Sequence, residues 1–119
     1  MTQDEQQIIN ILITVIRDRN LIRFKYNGQI RIVEPYLIGE LYSKFENHLE
    51  KGKYALRAWF TSGYSNRPID KTQGDRWRIY ELDKMIEIEI LSETNKIVRP
   101  FYHPDDKDFK RLIFRVNVK

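Results

Sequence analysis

Cysteine is absent from the 119 residues, which removes disulfides, thiolate metal sites and cysteine nucleophiles together and predicts a cytoplasmic setting. Histidine occurs only at His48 and His103, far apart and with no second ligand at metal spacing, so no metal site is expected. Five glycines and four prolines are too thinly spread to form G-x-G-x-x-G, a P-loop or a G-x-S-x-G elbow, and dinucleotide, NTPase and serine-hydrolase chemistry find no support. Long apolar runs are missing too: the richest stretch, residues 8–16, is about half a membrane span, and the first seven residues carry Asp4 and Glu5 where a leader would carry lysines. A soluble single domain, without cofactor and away from the membrane, is the expectation.

Charge is present in quantity and unevenly placed. The net formal charge is +4, yet residues 21–80 carry eleven basic and six acidic side chains while the two flanking segments are close to neutral. An anionic partner therefore belongs to the middle of the chain.

Thr2 and Glu5 have the spacing of a capping box, and Ile8, Ile9, Leu12, Val15 and Ile16 recur at helical intervals, with Asn20 as the stop signal. From Leu21 the period becomes two. Asn27-Gly28 joins residues 21–26 to 29–34 as a hairpin, because both turn residues tolerate positive φ. Pro35 ends, bulges or edges the second strand, and Tyr36 to about Tyr42 resume it. A polar loop over 43–53 leads to a third strand, Tyr54 to Thr61, and a long loop from Ser62 to Gly74 leads to a fourth beginning near Arg76. After a break at Asp83-Lys84, Ile86, Ile88 and Ile90 alternate with Glu87 and Glu89. Residues 97–102 read as a short strand, His103 to Asp108 as a turn or one helical turn, and Leu112, Phe114, Val116 and Val118 as a last strand. One helix followed by five to seven strands predicts an α+β, mainly β fold: a strongly bent antiparallel sheet or small β-barrel plugged by the N-terminal helix.

The order Ile22-x-Phe24-x-Tyr26-Asn27-Gly28, Arg31-x-Val33-x-Pro35, Tyr54-Ala55-Leu56-Arg57-Ala58-Trp59 and Arg78-x-Tyr80-x-Leu82-Asp83-Lys84-Met85 resembles the WYL domain, a bacterial and phage module. The resemblance spans about residues 5–91 and leaves 92–119 as a C-terminal extension containing a strand. It departs from the family at Ala55, where the middle tyrosine is missing, at Glu81, and at Lys84-Met85, where Arg-Ile is usual. It implies an Sm-like small barrel that senses a nucleotide or single-stranded nucleic acid and informs a helix-turn-helix partner. No helix-turn-helix is present here, so a stand-alone copy is expected, with a separate DNA-binding or effector protein or a second copy of itself as possible partners.

The strongest constellation is basic and aromatic. Arg57 and Trp59 alternate on one face of the third strand, and Arg76, Arg78 and Tyr80 on one face of the fourth; aligned, those faces would combine guanidinium forks for phosphate with planes for base stacking. By the resemblance, Arg78 matches the family's arginine before the aromatic and Lys84 its later basic residue. Arg31 and Tyr36 flank Pro35, and a bend there would aim both into the same pocket; otherwise Arg31 belongs to the hairpin's wet face with Arg23 and Lys25. Tyr64, Ser65, Asn66 and Arg67 have the composition of a contact loop. Asp105, Asp106 and Asp108 lack EF-hand spacing and read as a solvated turn. With no convergent acid, base and nucleophile, the expectation is a non-catalytic binding module, with a protein-interaction or oligomerisation module as the alternative.

Overall fold

A computed structural model describes residues 3–42, 52–63 and 76–117. Thr2 of the expected capping box, His48, Val118 and the loop residues Tyr64 to Arg67 lie outside them. Helix α1 spans Gln3–Asp18 and buries Ile9, Leu12, Val15 and Ile16, each worth roughly 2 kcal/mol of apolar transfer. Asp4 and Glu5 in its first turn and Arg17 in its last complement the helix dipole. The stop comes one residue before the expected one: Arg19 adopts a left-handed φ of 64°, and Asn20 already begins β1, its side-chain amide Nδ2 donating to the Leu91 carbonyl at 2.9 Å.

Six antiparallel strands follow: β1 (Asn20–Tyr26), β2 (Gln29–Leu41), β3 (Tyr54–Gly63), β4 (Trp77–Glu81), β5 (Met85–Thr94) and β6 (Phe109–Arg115). The β1–β2 hairpin has the register expected from Asn27-Gly28, with Tyr26 opposite Gln29, and both turn residues have positive φ, 52° and 75°. The sheet runs β4-β3-β2-β1-β5, and β6 joins β2. Strand β2 is the spine. Its first half, residues 29–33, pairs with β1, its second half, 37–41, pairs with β6, and β3 runs along both. Pro35, which has no N–H to donate, falls between the two half-partners and at a register shift against β3. The proline thus bulges the strand without ending it.

Both faces of the sheet are covered. The inner face packs under α1, with Ile22, Phe24, Val33, Ile38, Leu56, Ala58, Tyr80 and Met85 joining the helix residues in one core. The outer face carries Tyr36, Leu37, Ala55, Trp59 and Phe109, with Trp77, Ile79 and Tyr102 against them. Its cover is residues 95–108, an irregular strap rather than the short strand that 97–102 allowed. The Tyr36 hydroxyl accepts from the Arg99 amide at 2.9 Å, Trp77 Nε1 donates to the Pro100 carbonyl at 2.8 Å, and the Tyr102 hydroxyl donates to the Val116 carbonyl at 2.7 Å. The segment beyond residue 91 therefore completes the fold: it supplies the strap, a strand to the sheet and, through Ile113, Phe114 and Val116, apolar cover to the helix side. Among the described residues no helix is long and apolar enough to cross a membrane.

Candidate nucleic-acid interface

Register decides which arginines meet. Strand β3 opposes β4 with Arg57 across from Ile79, Ala58 from Arg78, Leu56 from Tyr80 and Trp59 from Trp77. Residues directly opposite share a face, so Arg57 and Trp59 lie on the outer face and Arg78 and Tyr80 on the inner one. The two halves of the expected constellation are back to back. The alternation within each strand is as the sequence indicates; the relative register is what separates them.

On the inner face the structure gathers Arg31, Arg78 and Tyr80. Arg31 stands opposite Phe24, which overturns its placement on the hairpin's wet face with Arg23 and Lys25: it is 4% exposed, and Arg78 is 7% exposed. The Arg31 guanidinium donates to the Tyr26 carbonyl at 3.2 Å and lies 5.5 Å from the Tyr26 ring centroid; Arg78 lies 5.7 Å from that of Phe60. Phe24, Tyr26 and Tyr80 form an edge-on aromatic trio with centroids 5.0–6.3 Å apart. The buried Tyr80 hydroxyl has no partner at hydrogen-bond distance among the described residues. Burial pushes its pKa up, and the positive charges of Arg31 and Arg78 pull against that shift. Arg76, immediately before β4, reaches back to the Phe60 and Thr61 carbonyls at 3.2 and 3.4 Å, which brings it to the same end of the sheet. Lys84 is exposed and paired with Glu81 at 2.8 Å. The inner face thus places two buried guanidiniums beside aromatic rings.

The outer face uses its charges internally. Arg57 is held by Asp106 at 2.7 Å and Asp108 at 2.6 Å, both from the acidic turn before β6. Glu81, Glu87 and Glu89 hold Lys84, Lys25 and Arg23. Trp59, 3% exposed, is a core residue with Arg99 over its ring, not an open stacking plane. Tyr36 is fully buried, with the Arg19 guanidinium 4.4 Å from its centroid, and belongs to this face rather than to a pocket with Arg31.

The residues that sequence reasoning missed are Glu34 and Arg99. Glu34 is 3% exposed and accepts three hydrogen bonds from Arg99, at 2.6 to 3.1 Å, and one from Asn95 at 3.1 Å. A single carboxylate inside the buried run from Val33 to Leu37 was the available signal, since such a charge requires a cation. Burial also pushes the Tyr102 phenol up to about 12, against the nearby charges of Arg115 and Arg19. The folded state favours the neutral phenol, so this contribution to stability is complete below the ordinary value of 10.0 and is lost as pH rises from there to about 12. Absorbance titration should show phenol ionising at the upper end of that window, and Tyr102→Phe should lower the amplitude of that late step by one phenol. No family model, curated protein or solved structure matches this chain.

Proposed function

We propose that the chain is a non-catalytic, WYL-like binding module that takes a nucleotide or short single-stranded nucleic acid on its inner face, through Arg31, Arg78 and Tyr80 with Arg76 at the rim. The observation that carries this reading is the burial of two guanidiniums, Arg31 and Arg78, around the buried Tyr80. Support for a small barrel comes from the strand order. The two ends of the sheet, β4 and β5, are consecutive in sequence and joined by a single 3₁₀ turn, Leu82–Lys84, so bending the sheet brings its open edges toward each other under the N-terminal helix.

Fluorescence anisotropy with labelled single-stranded oligonucleotides tests the proposal. Two phosphate contacts predict about a sevenfold loss of affinity for a fourfold rise in salt. Arg78→Ala removes a charged donor and should weaken binding by about tenfold or more; because Arg78 is buried, its thermal melt is recorded alongside, and Arg76→Ala provides a half-buried second variant. Absence of binding at low salt rejects the reading.

The alternative, a protein-interaction or oligomerisation module, rests on edge strand β5. Its pairing among the described residues is with β1 alone, and it leaves Ile86 and Ile90 half exposed, a surface open to strand addition. A stable oligomer by light scattering, without affinity for oligonucleotides, would favour it.

A further inference from the structure

The depth of the inner-face cations restricts what can meet them. Arg31 and Arg78 are both buried and come from the strands on either side of β3, Arg31 opposite Gly63 and Arg78 opposite Ala58. Both charges bear on the same phenol, that of Tyr80. An internal phosphate of a strand carries a sugar on each side, and two bulky polar substituents would have to be buried with it. A terminal phosphate carries one, so its free oxygens can lead while the rest of the nucleotide stays in water. Burial favours the end of a ligand over its middle.

Charge points the same way. A phosphodiester bears one negative charge, whereas a phosphomonoester with a second pKa of about 6 bears nearly two at neutral pH. Two guanidinium forks at one place suit the dianion and its three free oxygens. The rings, in turn, leave the base unread. Phe24, Tyr26 and Tyr80 meet edge to face, with interplanar angles of 78° to 89°; Phe24, Phe60 and Tyr80 are buried, and the half-buried Tyr26 has Arg31 against its ring. Their faces are committed to one another and to the arginines, which leaves no open plane among them for stacking.

We infer that the inner face recognises a terminal phosphomonoester, of a free mononucleotide or of the phosphorylated end of a strand, without regard to the base. The assignment rests on the inner-face reading and names the part of the ligand that is held. Competition against a labelled strand, with the full chain at fixed ionic strength, compares a short oligothymidylate phosphorylated at one end, the same strand with hydroxyls at both ends, TMP and thymidine. The phosphorylated strand should bind about tenfold tighter than the hydroxyl strand, and the advantage should shrink as pH falls through about 6. Exchanging thymine for adenine should leave affinity unchanged. TMP equal to the phosphorylated strand identifies a free nucleotide as the source, and a tighter phosphorylated strand identifies a strand end; either supports the assignment. Arg31→Lys and Arg78→Lys keep the charge and lose the fork, so each should reduce the phosphate advantage, whereas Arg76→Ala at the rim should weaken both strands alike. Equal affinity of phosphorylated and hydroxyl strands, or a base preference as large as the phosphate effect, overturns this assignment and leaves the inner-face reading standing. Binding by none of the ligands overturns both.

Discussion

Arg99→Ala is expected to lower the unfolding free energy by about 3 kcal/mol. Glu34 lies at the centre of the sheet opposite Trp59 and is nearly dry, with Arg99 as its only ion-pair partner among the described residues. The pair's mutual attraction holds Arg99 above the ordinary arginine pKa, with burial opposing. Removing the guanidinium strands a carboxylate that retains only the Asn95 amide, and desolvation of that charge is no longer offset. Because Arg99 is partly exposed, water can reach the vacated position, which places the loss near the lower end for broken buried pairs. The strap would loosen with it, since the Arg99 amide also anchors Tyr36. Urea unfolding checks the magnitude. The double variant Glu34→Leu with Arg99→Met should recover much of the loss, because an apolar pair of similar volume leaves no stranded charge; failure to recover would mean that the pair contributes shape rather than charge.

Gly39→Ala should cost about 2–3 kcal/mol, or roughly 10–20 °C in melting temperature. A Cβ at Gly39 would lie 2.9 Å from the Phe109 ring, 3.2 Å from Leu112 Cα and closer still to the Arg111 carbonyl oxygen. Two of those are backbone atoms of β6, so the β2–β6 spacing must open. Strand β6 carries Phe109 and Leu112 to the outer cluster and Ile113 and Phe114 to the inner one, so both cores feel the shift. A melting temperature within a few degrees of the parent would show that β6 is peripheral to stability.

Local signals carried the helix, the Asn27-Gly28 hairpin, an irregularity at Pro35 and the in-strand alternation of Arg57 with Trp59 and of Arg78 with Tyr80. Each depends on residues within a few positions of one another. What they do not carry is the offset between β3 and β4, and an offset of one residue moves a whole side-chain set to the other face. Arg31 was legible as a charge but not as a buried one, since only the pairing of β1 with β2 puts it opposite Phe24. Trp59 reads as a stacking plane and Tyr36 as a pocket residue because their cover, the strap, joins the sheet through contacts such as Arg99 with Glu34 and Asp106 with Arg57, which are 65 and 49 residues apart in sequence. Pairings at that range leave no periodic trace.

The central claim is that the inner-face arginines receive an anionic, base-bearing ligand. Amide chemical-shift mapping, with an unlabelled short single-stranded oligonucleotide added to isotope-labelled protein at low salt, addresses it residue by residue. The account predicts saturable shifts centred on Arg31, Gly63, Arg78 and Tyr80, with Arg57, Tyr102 and His103 unmoved. Shifts confined to the outer face, or no shifts at saturating oligonucleotide, would contradict it.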